Sequence, residues 1–100
     1  MKLVRFIGDA REEVDAIFTY YEIRLTGLGE RFLGQLTVQT NRIVQNPHLY
    51  GIVRGRVRAT MIPHFPHIVY YRIDDAETIV LAVLHHRQRS GTWWSRRNRT

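Results

Sequence analysis

The sequence predicts an α+β domain in the order β-αα-βββ, with a helical hairpin packed on one face of a small antiparallel sheet. Three observations predict it. Residues 9–45 carry two apolar stripes at helical spacing, separated by a break of two or three residues, which makes the helices antiparallel neighbours. Residues 65–85 carry two strand-like runs joined by the acidic turn Asp74-Asp75-Ala76-Glu77. The helical stripes need a surface to cover, and the remaining chain offers only strands. All 100 residues fit one domain, with residues 96–100 expected to fray.

Lys2 to Ile7 reads as a short first strand. Asp9 starts the first helix, where Asp9-Ala10-Arg11-Glu12 fits a capping box. Val14, Ile17, Phe18, Tyr21 and Leu25 form its apolar stripe, and Thr26-Gly27 stops it. The second helix runs from about Leu28 to Gln45 on a stripe of Leu28, Phe32, Leu36 and Ile43, and Asn46-Pro47 ends it. Val53 to Ile62 alternates as a strand. Arg54, Arg56 and Arg58 share one face, and Gly55 marks a bulge or a break. Ile68 to Ile73 is the next strand, with Val69, Tyr71 and Ile73 facing together. Thr78 to His85 is apolar on both faces, so it belongs inside the sheet with cover on both sides. Ser90-Gly91 breaks that strand and leaves a basic, aromatic tail.

The composition excludes several classes. With no cysteine, disulfides and thiolate metal sites are out, in keeping with a reducing compartment. No apolar run approaches the roughly 18 residues of a membrane span. The start, MKLVRFIGD, is charged too soon for a signal peptide, so a cytoplasmic protein with no membrane contact is expected. The net charge is +6, and all nine acids lie in Asp9–Glu30 and Asp74–Glu77. The second half therefore carries a one-signed field suited to a polyanion or an acidic protein segment.

The candidate residues for such contact are Arg54, Arg56, Arg58, Arg72, Arg87, Arg89, Trp93, Trp94 and Arg96. Alternate arginines on a strand offer a ladder of bidentate donors, and Arg72 joins it from the neighbouring strand. The plainer reading is a solvated strand face. Trp93 and Trp94 among arginines suit base stacking or interface anchoring, with one of them folded back over the sheet edge. His85 and His86 are adjacent, so on a strand they point to opposite sides. Neither they nor His48, His64 and His67 have metal-ligand spacing, and no metal or cofactor is expected. There is no glycine-rich phosphate loop and no Ser/His/Asp set. Were the chain an enzyme, its Arg, His and Tyr residues would suit metal-independent cleavage of RNA, a base activating the 2′-hydroxyl and arginines stabilising the phosphorane.

These residues resemble the RelE/ParE superfamily, the toxins of type II toxin–antitoxin pairs. The match covers nearly the whole chain. It includes Ala10 and the helix after it, Gly29-x-x-Phe32, Asn46-Pro47, Gly51 and Arg56-x-Arg58. Most specific is Phe65-Pro66-x-x-Val69-x-Tyr71-x-Ile73, followed by Ile79-Val80-x-x-Val83-x-His85 and Arg87. The resemblance implies an α+β toxin fold and a heteromeric complex with a cognate antitoxin that has an acidic or partly disordered segment. RelE-like members cut mRNA on the ribosome without a metal, whereas ParE-like members poison DNA gyrase.

The nuclease pattern has two alternating lysines, an arginine three residues before the strand tyrosine, an arginine after the last strand, and a tyrosine six residues later. Here those places hold Arg56 and Arg58, Ile68 before Tyr71, Arg87, and Trp93. A nuclease would rely on Arg56, Arg58, His86 and Arg87. Two of its five roles are missing, so the resemblance implies a ParE-like gyrase poison without catalysis of its own. The alternatives are a ribosome-dependent endoribonuclease and an inactive relic or basic nucleic-acid-binding module.

Overall fold

The computed structural model describes residues 3–88 and 91–99. Strand β1 (Leu3–Phe6) leads into helices α1 (Gly8–Arg24) and α2 (Leu28–Gln45). Strands β2 (Ile52–Arg54), β3 (Val57–Met61), β4 (His67–Asp74) and β5 (Glu77–His85) follow, then a short helix α3 (Gly91–Ser95). The sheet order is β1-β5-β4-β3-β2. The α+β class and the helical hairpin stand as expected. The sheet is antiparallel from β5 through β2, but β1 joins β5 in parallel, so it is mixed and has five strands.

The extra strand comes from Gly55. Its φ of 57° lies in the left-handed region, and with Arg56 it makes a two-residue turn. The expected single strand over Val53–Ile62 is therefore a hairpin, with Arg54 opposite Val57 and Ile52 opposite Arg58. An added Cβ at Gly55 would also sit 3.1 Å from the Trp94 ring. The turn thus depends on glycine twice, for its backbone angle and for its contact with the indole.

No capping box forms on α1. The helix begins one residue earlier than expected, and its N-cap is Ile7, with no side-chain cap. The Asp9 carboxylate lies in the first turn, where the helix dipole favours it, and pairs with Arg99 (2.9 Å) and Arg96 (3.3 Å). Leu25 falls beyond the end of α1 and is exposed. Between the helices, Glu22 receives the amides of Gly27 (2.8 Å) and Gly29 (2.9 Å), so one carboxylate satisfies two donors at the start of α2.

Helix α2 buries Phe32, Leu36 and Ile43 as its stripe predicts, and also Gln39. Gln39 is accommodated because its Nε2 donates to Thr60 Oγ1 on β3 at 2.8 Å. On the helix-facing side of the sheet, His67 meets Phe32, while Tyr71 donates its buried hydroxyl to the Pro47 carbonyl at 2.7 Å. Tyr21, Phe32, Phe65 and His67 form one aromatic cluster, with ring centroids 5.1–5.9 Å apart. The Phe65-Pro66-x-x-Val69 stretch is therefore the seam where hairpin and sheet meet.

The opposite face of the sheet is not bare. Trp93 stacks on Tyr70 with centroids 5.1 Å apart and planes 15° from parallel. Arg72 donates to the Arg99 carbonyl beneath the tail. Strand β5 thus runs with cover on both sides, and Thr78 to Leu84 are all buried. The tail expected to fray from residue 96 is anchored instead through Arg96 and Arg99, because α1 presents Asp9 and Glu13 to it.

Register shifts between Tyr70 and Tyr71: Tyr70 faces Ala82 and Tyr71 faces Val80, leaving Leu81 as the unpaired residue of a bulge on β5.

Gly29 tests the close approach of the two helices. A Cβ there would lie 2.7 Å from both Phe18 Cδ2 and the Phe18 carbonyl. Gly29→Ala is expected to destabilise the fold by about 2 kcal/mol or more through forced backbone movement. Gly34→Ala, where nothing lies within 4 Å, should stabilise by roughly 0.5–1 kcal/mol. Thermal unfolding of the two variants checks this; a similar loss in both would refute the contact argument.

Candidate functional site

The expected arginine ladder does not form, because the Gly55–Arg56 turn breaks the alternation. Arg58 lies on the helix-facing side and donates to the carbonyls of Tyr50 (2.7 Å) and His48 (3.3 Å). Arg56 sits in the turn and donates to the Ile73 carbonyl at 2.9 Å. Arg54 lies on the tail-facing side, its guanidinium carbon 3.8 Å from the centroid of the Trp94 ring.

Three of the proposed contact residues are used by the fold itself. Arg72 is buried beneath the tail, 3.7 Å from Asp74. Trp93 is buried on Tyr70, so it is the tryptophan that folds back. Arg96 is 8% exposed, and its Nη1 donates to Glu13 Oε1 at 3.0 Å and to the Leu81 carbonyl at 3.1 Å. Arg89 lies outside the described residues.

Sequence reading missed Arg97. Its guanidinium carbon is 4.2 Å from the Trp94 centroid, beside that of Arg54. The signal was present in Trp93-Trp94-Ser95-Arg96-Arg97 read with a period of three. Trp93 and Arg96 turn inward, whereas Trp94 and Arg97 turn outward. The outer pair, with Arg54 and Arg56, makes a basic corner beside the β2–β3 turn.

A second cluster lies at the far end of β5. His85 and His86 do not point to opposite sides. Their rings stack with centroids 4.6 Å apart, because the strand ends at His85 and the chain turns. His67 lies next to His85, with centroids 5.4 Å apart. The residues His67, His85, Pro66, Gln88, Ala16, Ile17, Tyr20 and Tyr21 line an open cavity of about 620 Å³. Arg87 and His86 are exposed beside it. Among the described residues no group of three or more metal-ligating side chains comes together.

Burial pushes the His67 pKa down to about 4, with His85 and His86 adding to the effect, and its Nδ1 has no hydrogen-bond partner among the described residues. Burial also pushes the Tyr71 hydroxyl up to about 12, the nearby Arg58 opposing only in part. Neither group is set to exchange protons near neutral pH. Arg99 holds the Asp9 carboxyl below its ordinary value, chiefly by hydrogen bonding, as Arg5 does for Glu77.

The chain is thus an α+β domain whose mixed sheet carries a helical hairpin on one face and a tail bearing Trp and Arg on the other. The family described as "ParE toxin of type II toxin-antitoxin system, parDE" matches residues 4–90. The chain belongs to that family. No curated protein matches it. Among solved structures, one titled "Chromosomal ParDE TA system from P. aeruginosa" superposes with a TM-score of 0.74 at 16% identity, over 85% of this chain and 96% of that one. That similarity carries the fold.

Arg96→Met is expected to cost about 3 kcal/mol or more, because Glu13 would be left partly buried without its cation. Denaturant unfolding, with tryptophan emission shifting to the red as Trp93 is exposed, checks this. A stability unchanged from the parent would show that the tail is held without Arg96.

His67 gives a pH dependence. The unfolded chain binds its proton near pH 6.5, but the folded chain does so only near pH 4. Its contribution is therefore fully present above about pH 6.5 and lost as pH falls toward 4. His67→Phe should lose stability less steeply than the parent between about pH 7 and about pH 5 in urea titrations; an identical slope would rule His67 out as the source.

Proposed function

We propose that this ParE-family toxin arrests growth by poisoning DNA gyrase, without catalysis of its own, and that a cognate antitoxin neutralises it in a heteromeric complex. The observation that carries this reading is Trp93. Where the nuclease pattern has a tyrosine, this chain has an indole buried on Tyr70, with no hydroxyl to titrate. Ile68 stands in place of the arginine, and the Tyr71 hydroxyl is committed to Pro47.

The residues left to a nuclease are also divided. Arg58 pairs opposite Tyr71 and His85 opposite His67. The four steps along β4 between those pairs put Arg58 roughly 13 Å along the sheet from the end where His86 and Arg87 lie, with Arg56, in the turn beyond, farther still. Arg58 and Arg56 are moreover engaged by the carbonyls of Tyr50, His48 and Ile73, which works against their gathering with His86 and Arg87 on one scissile phosphate. An endoribonuclease built on Arg56, Arg58, His86 and Arg87 is the weaker reading for that reason.

The antitoxin follows from family membership. An acidic segment that folds on binding is suited to the arginines of the helices, such as Arg31 and Arg42, with which no described carboxylate forms an ion pair. A cytoplasmic site of action agrees with a chain in which no described helix is long and apolar enough to cross a membrane.

Purified toxin added to a gyrase supercoiling reaction should block supercoiling and accumulate cleaved DNA, while primer extension on translated mRNA shows no new ends. Unimpaired supercoiling by active toxin would overturn the gyrase reading. Cuts within codons would establish the nuclease in its place.

A further inference from the structure

Lys2 is the one lysine among fifteen basic residues, so this chain's positive charge is nearly all guanidinium. The fold sorts those arginines. Arg5, Arg72, Arg96 and Arg99 each pair with a carboxylate. Among the described residues no carboxylate forms an ion pair with Arg54, Arg56 or Arg97. These three meet at the basic corner.

The corner is built rather than incidental. The guanidinium carbons of Arg54 and Arg97 lie 3.8 and 4.2 Å from the Trp94 centroid, and the Arg97 Nη1 donates to the Trp94 carbonyl at 2.8 Å. Stacking on an indole holds a guanidinium plane while leaving N–H groups at its edge for an anion. Arg56 is steadied by the Ile73 carbonyl. Arg56 and Arg97 rim a cavity of about 190 Å³ that Arg72, Trp94 and Asn98 also line. Of the carboxylates in the neighbouring β4–β5 turn, Asp74 is directed to Arg72 and Glu77 to Arg5.

We propose that Arg54, Arg56 and Arg97 around Trp94 form a docking surface for the backbone phosphates of duplex DNA. This deepens the gyrase reading, on which its use in the cell rests, because the target enzyme works on DNA. Duplex is favoured over single strand because a base-stacking platform needs a free aromatic face, and two guanidinium groups already cover the Trp94 ring. Duplex is favoured over an acidic protein segment because such a segment needs apolar anchors to offset its ordering, and none of the exposed apolar side chains lines this cavity. A stiff polyanion needs no anchors. Arginines held to a ring and to carbonyls position a backbone and do not read base edges, so the binding is independent of sequence.

Fluorescence anisotropy of the purified toxin with a labelled duplex of arbitrary sequence, from about 50 to 200 mM salt, tests this. Three neutralised phosphates give a log–log salt slope of about −3. Arg54→Gln combined with Arg97→Gln should weaken binding about tenfold or more and flatten the slope by about 2. Arg54→Lys combined with Arg97→Lys should restore most of the slope. Arg24→Gln, on α1 against Tyr20, should leave both unchanged.

Thermal unfolding like the parent's confirms that each variant is folded. The proposal is overturned if the parent shows no salt-dependent binding or if the double Gln variant binds as the parent does. Tighter binding of single strands than of duplex, or of polyglutamate at equal charge, overturns it as well. DNA binding without any effect on supercoiling would leave this surface standing and remove the gyrase reading alone.

Discussion

Arg96 ties three parts of the molecule together. Strand β1 ends at Phe6, and the last pairing on that side of β5 is the Ile7 amide to the Val80 carbonyl. Beyond it the outer edge of β5 has no strand beside it among the described residues, and the bulge at Leu81 falls there. Glu13 and Arg96 fill the gap: Glu13 receives the Val83 amide at 3.1 Å, and Arg96 donates to the Leu81 carbonyl at 3.1 Å. The two also pair with each other at 3.0 Å, with Arg96 reaching Asp9 on its other side. An ion pair this sheltered holds because its remaining donors and acceptors are satisfied by backbone that would otherwise lack partners. Remove it, and a sheet edge, a helix and the tail all lose their connection.

The tail's position follows from that connection, and the basic corner follows from the tail. With Arg96 fixed inward, the helical turn of α3 places Trp93 on Tyr70 and swings Trp94 and Arg97 out toward the β2–β3 turn. Gly55 then lets the indole come close. The acids of α1 thus cancel tail charge at one place and leave it uncancelled at another. The one-signed field suggested by the spacing of the acids is confined to surfaces the clamp does not reach.

Much of this was legible in the sequence. The two helices, their short connection, the buried last strand and the facing of Val69, Tyr71 and Ile73 follow from periodicity and turn residues, which act over a few positions. The rest depends on contacts between distant residues. The capping box at Asp9 failed because Arg96 and Arg99, about ninety positions away, take that carboxylate. The arginine ladder failed because Gly55 offered either a bulge or a break, and only the indole packed on it and the pairing of Arg54 with Val57 decide for a full turn. Arg72 and Arg96 read as surface residues because arginine usually is exposed, and nothing local announces a carboxylate from another element. The buried Gln39 was invisible for the same reason, since its partner Thr60 lies on a strand.

The Asp9–Arg99 and Glu13–Arg96 pairs also set an order of events. Their members are separated by nearly the length of the chain. During synthesis the helical hairpin and β4–β5 can form from neighbouring segments, but the clamp and the corner it positions must wait for Arg96, Arg97 and Arg99 to emerge. Trp94 and Arg97 reach Gly55 and Arg54 only at that stage. A nascent chain therefore has its scaffold before it has its basic corner, and that surface appears only after the helices and the sheet that carry it.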